Sequence, residues 1–211
     1  MNEKGKSTLE KFNLKVKNYS SNIKRMFKKY DKILVKYNID LCIIESKWNE
    51  PNRFYHNIDH LLSILKQIEN KYDPNDYIYE FYILAAFFHD IVYVPGRNDN
   101  EEKSVKFMFD MIGETPVTKK VEDIILETKN ISPSNYFDFW KFDNSILLDS
   151  DFDKLLDYET KIRKEFSVYN DEEYKKGRIE FLNNFLMNNT IDSKQANLIN
   201  NLKSYINSVY R

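Results

Sequence analysis

The stretch Phe81–Asp90, FYILAAFFHD, decides how the rest of this sequence is interpreted. Eight consecutive apolar residues end in His89 and Asp90. A run of this length, without alternation and with two alanines at its centre, favours a helix that is apolar on every side over a strand. Such a helix belongs at the centre of a helical domain. We therefore expect His89 and Asp90 at the buried end of that helix.

Burying an imidazole and a carboxylate together requires compensation. An unpaired buried carboxylate costs several kcal/mol or takes up a proton. A divalent cation would compensate well, because it accepts a neutral imidazole and an ionised carboxylate as ligands. A His–Asp hydrogen bond or a pairing with an arginine explains His89 and Asp90 equally well. The dipeptide alone leaves these alternatives open.

The remainder of the chain also favours helices. Its 211 residues contain only 4 glycines and 5 prolines, and the glycines form no phosphate-binding loop or dinucleotide fingerprint. The sequence predicts an all-α fold, with one helical domain over residues 19–211 and a polar, frayed lead-in over 1–18. The predicted helical segments are 19–37, 40–48, 58–71, 76–92, 100–112, 118–129, 144–156, 157–168, 171–188 and 193–209.

Composition excludes several functional classes. Lys and Arg number 32 against 33 for Asp and Glu, so the chain has no electrostatic footprint for nucleic acid or for an acidic membrane surface. The longest apolar run is far shorter than the roughly 20 residues that span a bilayer. The single cysteine excludes an internal disulfide, and the N-terminus lacks an apolar signal core. We expect a cytoplasmic protein that binds neither nucleic acid nor membrane; a homo-oligomer is compatible with the sequence.

The other two histidines, His56 and His60, have the i, i+4 spacing that places side chains on one helix face. Zinc proteases with this spacing need a glutamate directly after the first histidine, and Asn57 stands there instead. Pro51 and Arg53 indicate that a helix begins only near Asn57. His60 would then face inward from the first turn, with His56 on the preceding loop.

Taken in order, these residues resemble a known family, the bacterial metal-dependent phosphohydrolases of the HD superfamily. The spacing of 29 positions from His60 to His89 is typical of that superfamily. The resemblance covers roughly residues 45–190 and is carried by the motifs Pro51-x-Arg53-x-Tyr55-His56-Asn57-x-x-His60, Phe88-His89-Asp90-x-Val92-Tyr93 and Asn100-Glu101-x-x-Ser104, and by the segments Leu147–Phe152 and Gly177–Leu186.

The resemblance implies one metal ion held by His60, His89, Asp90 and a distal aspartate. Asp149 and Asp151 compete for the last position, and on one helix they would point about 200° apart, so only one can face the metal. The register of the family favours Asp151. Asn130 is a departure, because family members tend to have a histidine there. Its presence favours a single metal and leaves open a weakened activity.

The implied chemistry follows from the ligand types. Two imidazoles and two carboxylates, without a thiolate, suit Mn²⁺, Fe²⁺, Co²⁺, Ni²⁺ or Mg²⁺ with open coordination positions better than Zn²⁺. We therefore predict hydrolysis of a phosphate ester or anhydride of a small molecule, with a nucleotide as the favoured substrate.

Four further residues are predicted to act on the substrate. Arg53 and Arg97 are expected to bind phosphate, although surface charge explains each of them as well. Glu101 would orient water or substrate, or only complement a helix dipole. His56 would give a proton to the leaving group, or only brace the site.

Two other functions fit the same residues. A non-catalytic, metal-bound helical domain could sense a nucleotide or bind a protein partner, and Asn130 favours that interpretation. A helical interaction protein with purely structural histidines and aspartates is the third hypothesis. The presence of all the ligand types favours the enzyme.

Overall fold

The computed structural model of the chain describes residues 25–132, 135–148 and 150–210. Within these ranges the chain is helical and contains no strand, which confirms the predicted all-α class. A 3₁₀ turn at Lys28–Tyr30 precedes the α-helices, which are α1 (Asp31–Lys36), α2 (Leu41–Trp48), α3 (Ile58–Lys71), α4 (Tyr77–Phe88), α5 (Asn100–Ile112), α6 (Pro116–Thr128), α7 (Phe137–Asp143), α8 (Ser145–Leu148), α9 (Phe152–Glu165), α10 (Asp171–Asn188) and α11 (Ser193–Val209).

The chain divides into two compact units, one ending at Lys47 and the other beginning at Trp48. All residues predicted to form the metal site belong to the second unit. The lead-in predicted over residues 1–18 lies outside the described residues, and the single domain over 19–211 stays a prediction. None of the described helices is both long enough and apolar enough to cross a membrane.

Helix α4 occupies the centre of the second unit, as its apolar sequence predicts. Every residue from Ile83 to Phe88 is fully buried. The helix packs against α3, α5 and α6. Because α4 ends at Phe88, His89 and Asp90 form the first turn beyond it and stay inside the protein.

Helix α3 begins where the sequence predicts. The Asn57 side chain accepts a hydrogen bond from the Asp59 N–H at 2.9 Å and so caps the helix. His60 lies in the first turn and is buried, and His56 lies on the loop before the cap. The local chemistry of one asparagine therefore places the two histidines in different structural settings.

Helices α9, α10 and α11 form a second core. They bury one continuous apolar cluster that also takes in Trp140 of α7. Its fully or nearly fully buried members are Leu147, Leu155, Leu182, Phe185, Ile199, Leu202 and Ile206. This cluster fixes α9 and α10, which carry Glu165 and Arg178, discussed below.

The predicted helices differ from the observed ones mainly between residues 130 and 168. Helix α7 was not predicted, since seven residues with four aromatics show too little periodicity to be recognised. The predicted break between residues 156 and 157 is wrong, because α9 runs without interruption from Phe152 to Glu165. The boundary between helices instead lies just before α9. The Asp151 side chain accepts a hydrogen bond from the Lys154 N–H at 2.9 Å and caps that helix.

Gly96 and Gly113 provide a matched test of this packing. Both have φ of +82°, which disfavours other residues, but a Cβ on Gly113 would meet nothing within 4 Å. A Cβ on Gly96 would lie 2.1 Å from the Tyr169 hydroxyl. We expect Gly113→Ala to lower the free energy of unfolding by about 1–3 kcal/mol through backbone strain alone. Gly96→Ala should cost more. Urea denaturation compares the two, and equal losses would contradict the close approach of Tyr169.

Candidate metal centre

Four side chains from three parts of the second unit meet at one point. His60 comes from the first turn of α3, His89 and Asp90 follow the end of α4, and Asp143 ends α7. The His60 Nε2 lies 3.0 Å from Asp143 Oδ1. The His89 Nε2 lies 3.4 Å from Asp90 Oδ2 and 3.5 Å from Asp143 Oδ1. Two imidazoles and two carboxylates therefore share one small space.

The spacing of these groups suits a metal ion. Each residue offers one ligand atom, and the four atoms all lie within 4.8 Å of one another. An ion with ligand distances of about 2.0–2.4 Å holds its ligand atoms no farther apart than about twice that length. The group can therefore hold a metal ion, whose identity its geometry does not fix.

The hydrogen bonding of His89 also fits a ligand. The Ala86 carbonyl accepts a hydrogen bond from His89 Nδ1 at 3.1 Å, and since a carbonyl can only accept, Nδ1 carries the proton. In the neutral ring the lone pair then lies on Nε2. That atom is buried and has no hydrogen-bond partner among the described residues. A buried nitrogen whose lone pair faces two carboxylates is well placed to bind a cation.

Electrostatics inside the cluster are strong. Burial lowers the pKa of His89, but the Asp90 and Asp143 carboxylates outweigh burial and raise it to about 9. Burial lowers the pKa of His60 despite its contact with Asp143. Burial raises the pKa of Asp143, but the two histidines outweigh it and hold the pKa well below its usual range. The Asp143 carboxylate thus stays ionised beside the two imidazoles.

Asp143, and not Asp151, completes the cluster. Asp151 is exposed at the start of α9, where it caps the helix and pairs with Lys154 Nζ at 3.0 Å. The prediction that Asp151 lies beside the histidines is therefore wrong. The error comes from a misplaced helix boundary. Asp151 was expected inside a helix, with its side chain toward the core, but it caps the start of α9. The competing residue, Asp149, lies outside the described residues.

Arg53 has a structural position and not the predicted one beside the substrate. It is 6% exposed, and its guanidinium donates to the carbonyls of Asp90 at 2.6 Å and Ile91 at 3.1 Å. It also donates to the His56 carbonyl and to Glu50. With four hydrogen bonds to protein, Arg53 fastens the loop before α3 to the turn after α4.

Two residues of α5 hold the same turn from the other side. The Asn100 side chain both accepts from the Val94 N–H and donates to the Val94 carbonyl, each at 3.0 Å. The Ser104 hydroxyl exchanges the equivalent pair of hydrogen bonds with Val92. These contacts give the motif from Asn100 to Ser104 a clear role, which is to fix the segment that follows Asp90.

Glu165 organises the loop that carries His56. Its side chain is fully buried, and Oε1 accepts the N–H groups of Phe54, Tyr55 and His56 at 2.7–2.9 Å. Oε2 lies 2.7 Å from His56 Nδ1. Burial would raise the pKa of Glu165, but the bond to the His56 ring and the N–H groups of Tyr55 and His56 lower it to about 2. Glu165 thereby orients the His56 ring.

A cavity of about 480 Å³ opens beside the cluster. Asp90, Asp143, His56 and Glu101 contribute to its wall, and Arg178 is its one arginine or lysine among the described residues. Most of the remaining wall is aromatic: Tyr55, Tyr93, Tyr158, Phe166, Tyr169, Tyr174 and Phe181. The space suits a small molecule with an apolar, flat portion.

The other predicted residues take different positions. Glu101 lines the cavity, and burial raises its pKa. Arg97 is absent from the cavity wall and pairs at the surface with Asp99 through two contacts of 2.7 Å. Asn130 is exposed outside the cavity, where its carbonyl accepts the Trp140 indole N–H at 3.1 Å. The structure thus brings His56 and Glu101 to the cavity and leaves Arg97 away from it.

The sequence interpretation missed Asp143 and Glu165. Asp143 follows an aromatic run, as Asp90 does, so the same reasoning on buried carboxylates could have singled it out. Glu165 gave no local signal, because its partners are about 110 residues earlier in the chain. No protein-family model, curated protein or solved structure matches the chain, so the site rests on its own geometry.

The two aspartates provide the sharpest test of the centre. We expect Mn²⁺ to raise the melting temperature of the chelator-treated wild-type protein, because a ligand a thousandfold above its Kd adds about 4 kcal/mol to the free energy of unfolding. Asp143→Asn should abolish this response. Asp151→Asn should keep it, since asparagine still caps α9. Differential scanning calorimetry with and without Mn²⁺ measures all three proteins, and the opposite pattern would restore Asp151 to the centre.

Arg53 can be tested separately from any substrate. Arg53→Met should lower the free energy of unfolding by about 3 kcal/mol, because buried carbonyls of Asp90 and Ile91 lose their donor. Urea denaturation in a chelator measures the loss. Arg97→Met, at the exposed pair, is the matched control and should change stability little. An Arg53→Met protein of unchanged stability but impaired phosphate binding would support the original prediction.

Proposed function

We propose that the chain is a metal-dependent phosphohydrolase of the HD type, acting on a phosphate ester or anhydride of a small molecule such as a nucleotide. The observation that carries the proposal is the position of Asp90 and Asp143. Both belong to the group that can hold a metal ion, and both line the aromatic cavity. A molecule in the cavity would therefore meet the metal directly.

His60, His89, Asp90 and Asp143 would hold the ion. When bound, a divalent ion polarises a phosphoryl oxygen and lowers the pKa of a coordinated water. The rest of the wall explains why an ion is needed for phosphate to bind at all. Asp90, Asp143, Glu101 and Glu173 give the cavity four carboxylates against Arg178. Without the ion a phosphate would be repelled.

His56 is the residue best placed to transfer a proton. It lines the cavity, and its Nδ1 is occupied by Glu165, so the ring is held in one orientation. Burial lowers the pKa of His56, but the bond to Glu165 and the charges of Asp90, Glu165 and Asp143 together outweigh burial and raise it. A positioned imidazole of this kind can donate a proton to a leaving group. In the proposal His56 therefore acts on the substrate and does not bind the metal.

Glu101 also faces the cavity and is half-buried. Burial raises the pKa of Glu101, and the nearby charge of the Asp90 carboxylate raises it further. A carboxylate with a raised pKa can accept a proton from water or hydrogen-bond a substrate hydroxyl. We assign it the role of orienting the water or the substrate.

Phosphate release from a panel of phosphomonoesters and nucleotides, with Mn²⁺, Fe²⁺, Co²⁺, Ni²⁺ and Mg²⁺ in turn, tests the proposal. On the best substrate, His56→Gln should reduce kcat about 10²–10⁴-fold and retain the metal, since glutamine can still donate to Glu165. His89→Ala should lose metal and activity together. Metal analysis accompanies each assay. A wild-type protein that binds metal but releases phosphate from no compound would favour a non-catalytic metal-bound domain.

A further inference from the structure

A row of aromatic contacts connects the metal-binding group to Arg178. The His60 ring lies 5.0 Å from the Tyr55 ring, and Tyr55 lies 4.6 Å from Tyr158. The Tyr158 ring lies 4.9 Å from the Arg178 guanidinium. Both tyrosines line the cavity, so a ligand bound beside Asp143 can extend along this wall as far as Arg178.

Arg178 is held firmly in this wall. It is 8% exposed, and its Nε donates to Glu159 Oε2 at 2.9 Å. The guanidinium lies between two rings, 4.9 Å from Tyr158 and 5.1 Å from Phe181. The Glu159 carboxylate is itself fully buried and accepts the Tyr174 hydroxyl at 2.6 Å. These contacts hold the Arg178 guanidinium in one position.

One nitrogen of that guanidinium lacks an acceptor. Nη2 of Arg178 is buried and has no hydrogen-bond partner among the described residues. Buried N–H groups almost always have an acceptor, from protein, water or ligand. Because Arg178 lines the cavity, a bound ligand can provide the acceptor. The mechanism proposed above makes no use of this donor.

The surroundings indicate a neutral acceptor. Glu159 balances the charge of Arg178 through a direct ion pair. The cavity wall already holds the carboxylates of Glu101 and Glu173 in addition to those at the metal group. A second anionic group on the ligand would therefore find no net positive charge at Arg178, whereas a carbonyl oxygen needs only the N–H donor. The aromatic walls favour a flat ring as the carrier of that carbonyl.

We propose that Arg178 determines specificity, donating from Nη2 to a carbonyl oxygen on a flat heteroaromatic ring seated among the aromatic side chains of the cavity. This inference rests on the proposed function in one respect, that the cavity is the substrate site. It adds that the ring is selected at Arg178, at the opposite end of the Tyr55–Tyr158 wall from the metal group.

Binding of nucleosides in a chelator tests the proposal without metal or hydrolysis. Two pairs of probes each differ at one carbonyl oxygen: inosine and purine riboside, and uridine and its analogue without the 4-oxygen. Ligand-observed NMR titration of the full chain measures the affinities. We expect at least one pair to favour the carbonyl compound about 10- to 100-fold, the range of a hydrogen bond to a charged group.

Two variants locate the effect. Arg178→Lys keeps a charge for Glu159 but removes Nη2, so the preference should fall to about one while the melting temperature stays close to that of the wild type. Gly177→Leu places a side chain into open space on the cavity wall, where a Cβ meets nothing within 4 Å, and should weaken binding of both members of a pair.

The outcomes separate this proposal from the hydrolase proposal. Absence of a preference in both pairs, survival of the preference in Arg178→Lys, or unchanged binding to Gly177→Leu would each overturn the role of Arg178. A preference that depends on Arg178, in a protein that releases no phosphate from any compound, would keep the role of Arg178 and reject the hydrolase.

Discussion

Burial of two carboxylates around His89 is the constraint on which the rest of the second unit depends. Asp90 follows α4, whose last six residues are fully buried, and Asp143 ends α7. Both carboxylates approach the same imidazole nitrogen, His89 Nε2. Charges of one sign so close together in an apolar interior repel each other strongly. Such an arrangement is stable only if the surrounding backbone is held rigidly and a positive charge is supplied. A metal ion can supply it, and without the ion a protonated His89 ring can.

The rigidity comes from polar side chains that bond to backbone rather than to each other. Arg53 holds the turn after α4 through the carbonyls of Asp90 and Ile91. Asn100 and Ser104 hold the next residues of that segment, and Glu165 gathers three successive N–H groups of the loop before α3. Each of these polar side chains is buried or partly buried and has its hydrogen-bond partners. The backbone that they hold therefore keeps the side chains of the metal-binding group in fixed positions. The charged residues nearest the motifs therefore hold the backbone in place. Among the residues that the structure describes, the cavity wall is left with one buried cation, Arg178.

Local features of the sequence predicted much of the fold and part of the metal-binding group. The buried helix α4 and the helix cap at Asn57 could be predicted from the sequence, because each depends on residues within one or two helical turns. They placed His60 in the first turn of one helix and His89 with Asp90 at the buried end of another. The resemblance to the HD superfamily implied that the three residues share one site, and the structure brings them together. The helix that carries Asp143 was not predicted, because seven residues rich in aromatics show too little periodicity. The helix boundary at Asp151 was missed, because a capping aspartate and a buried aspartate look alike in sequence. Arg53 was predicted to bind phosphate because its real partners could not be recognised in the sequence. They are backbone carbonyl groups 37 and 38 residues away, and every residue type has such a carbonyl.

The distances along the chain between partners at the centre have a consequence for how the protein is made. His60 meets Asp143 across 83 residues, and Glu165 meets the Phe54–His56 loop across about 110. Contacts of such long sequence separation form slowly and late in folding. A chain emerging from the ribosome exposes His60, His89 and Asp90 well before Glu165 has been synthesised. A metal ion would therefore bind only at a closing step of folding, after Asp143 has met His60, and a chain truncated before Asp143 would have no complete group to hold it.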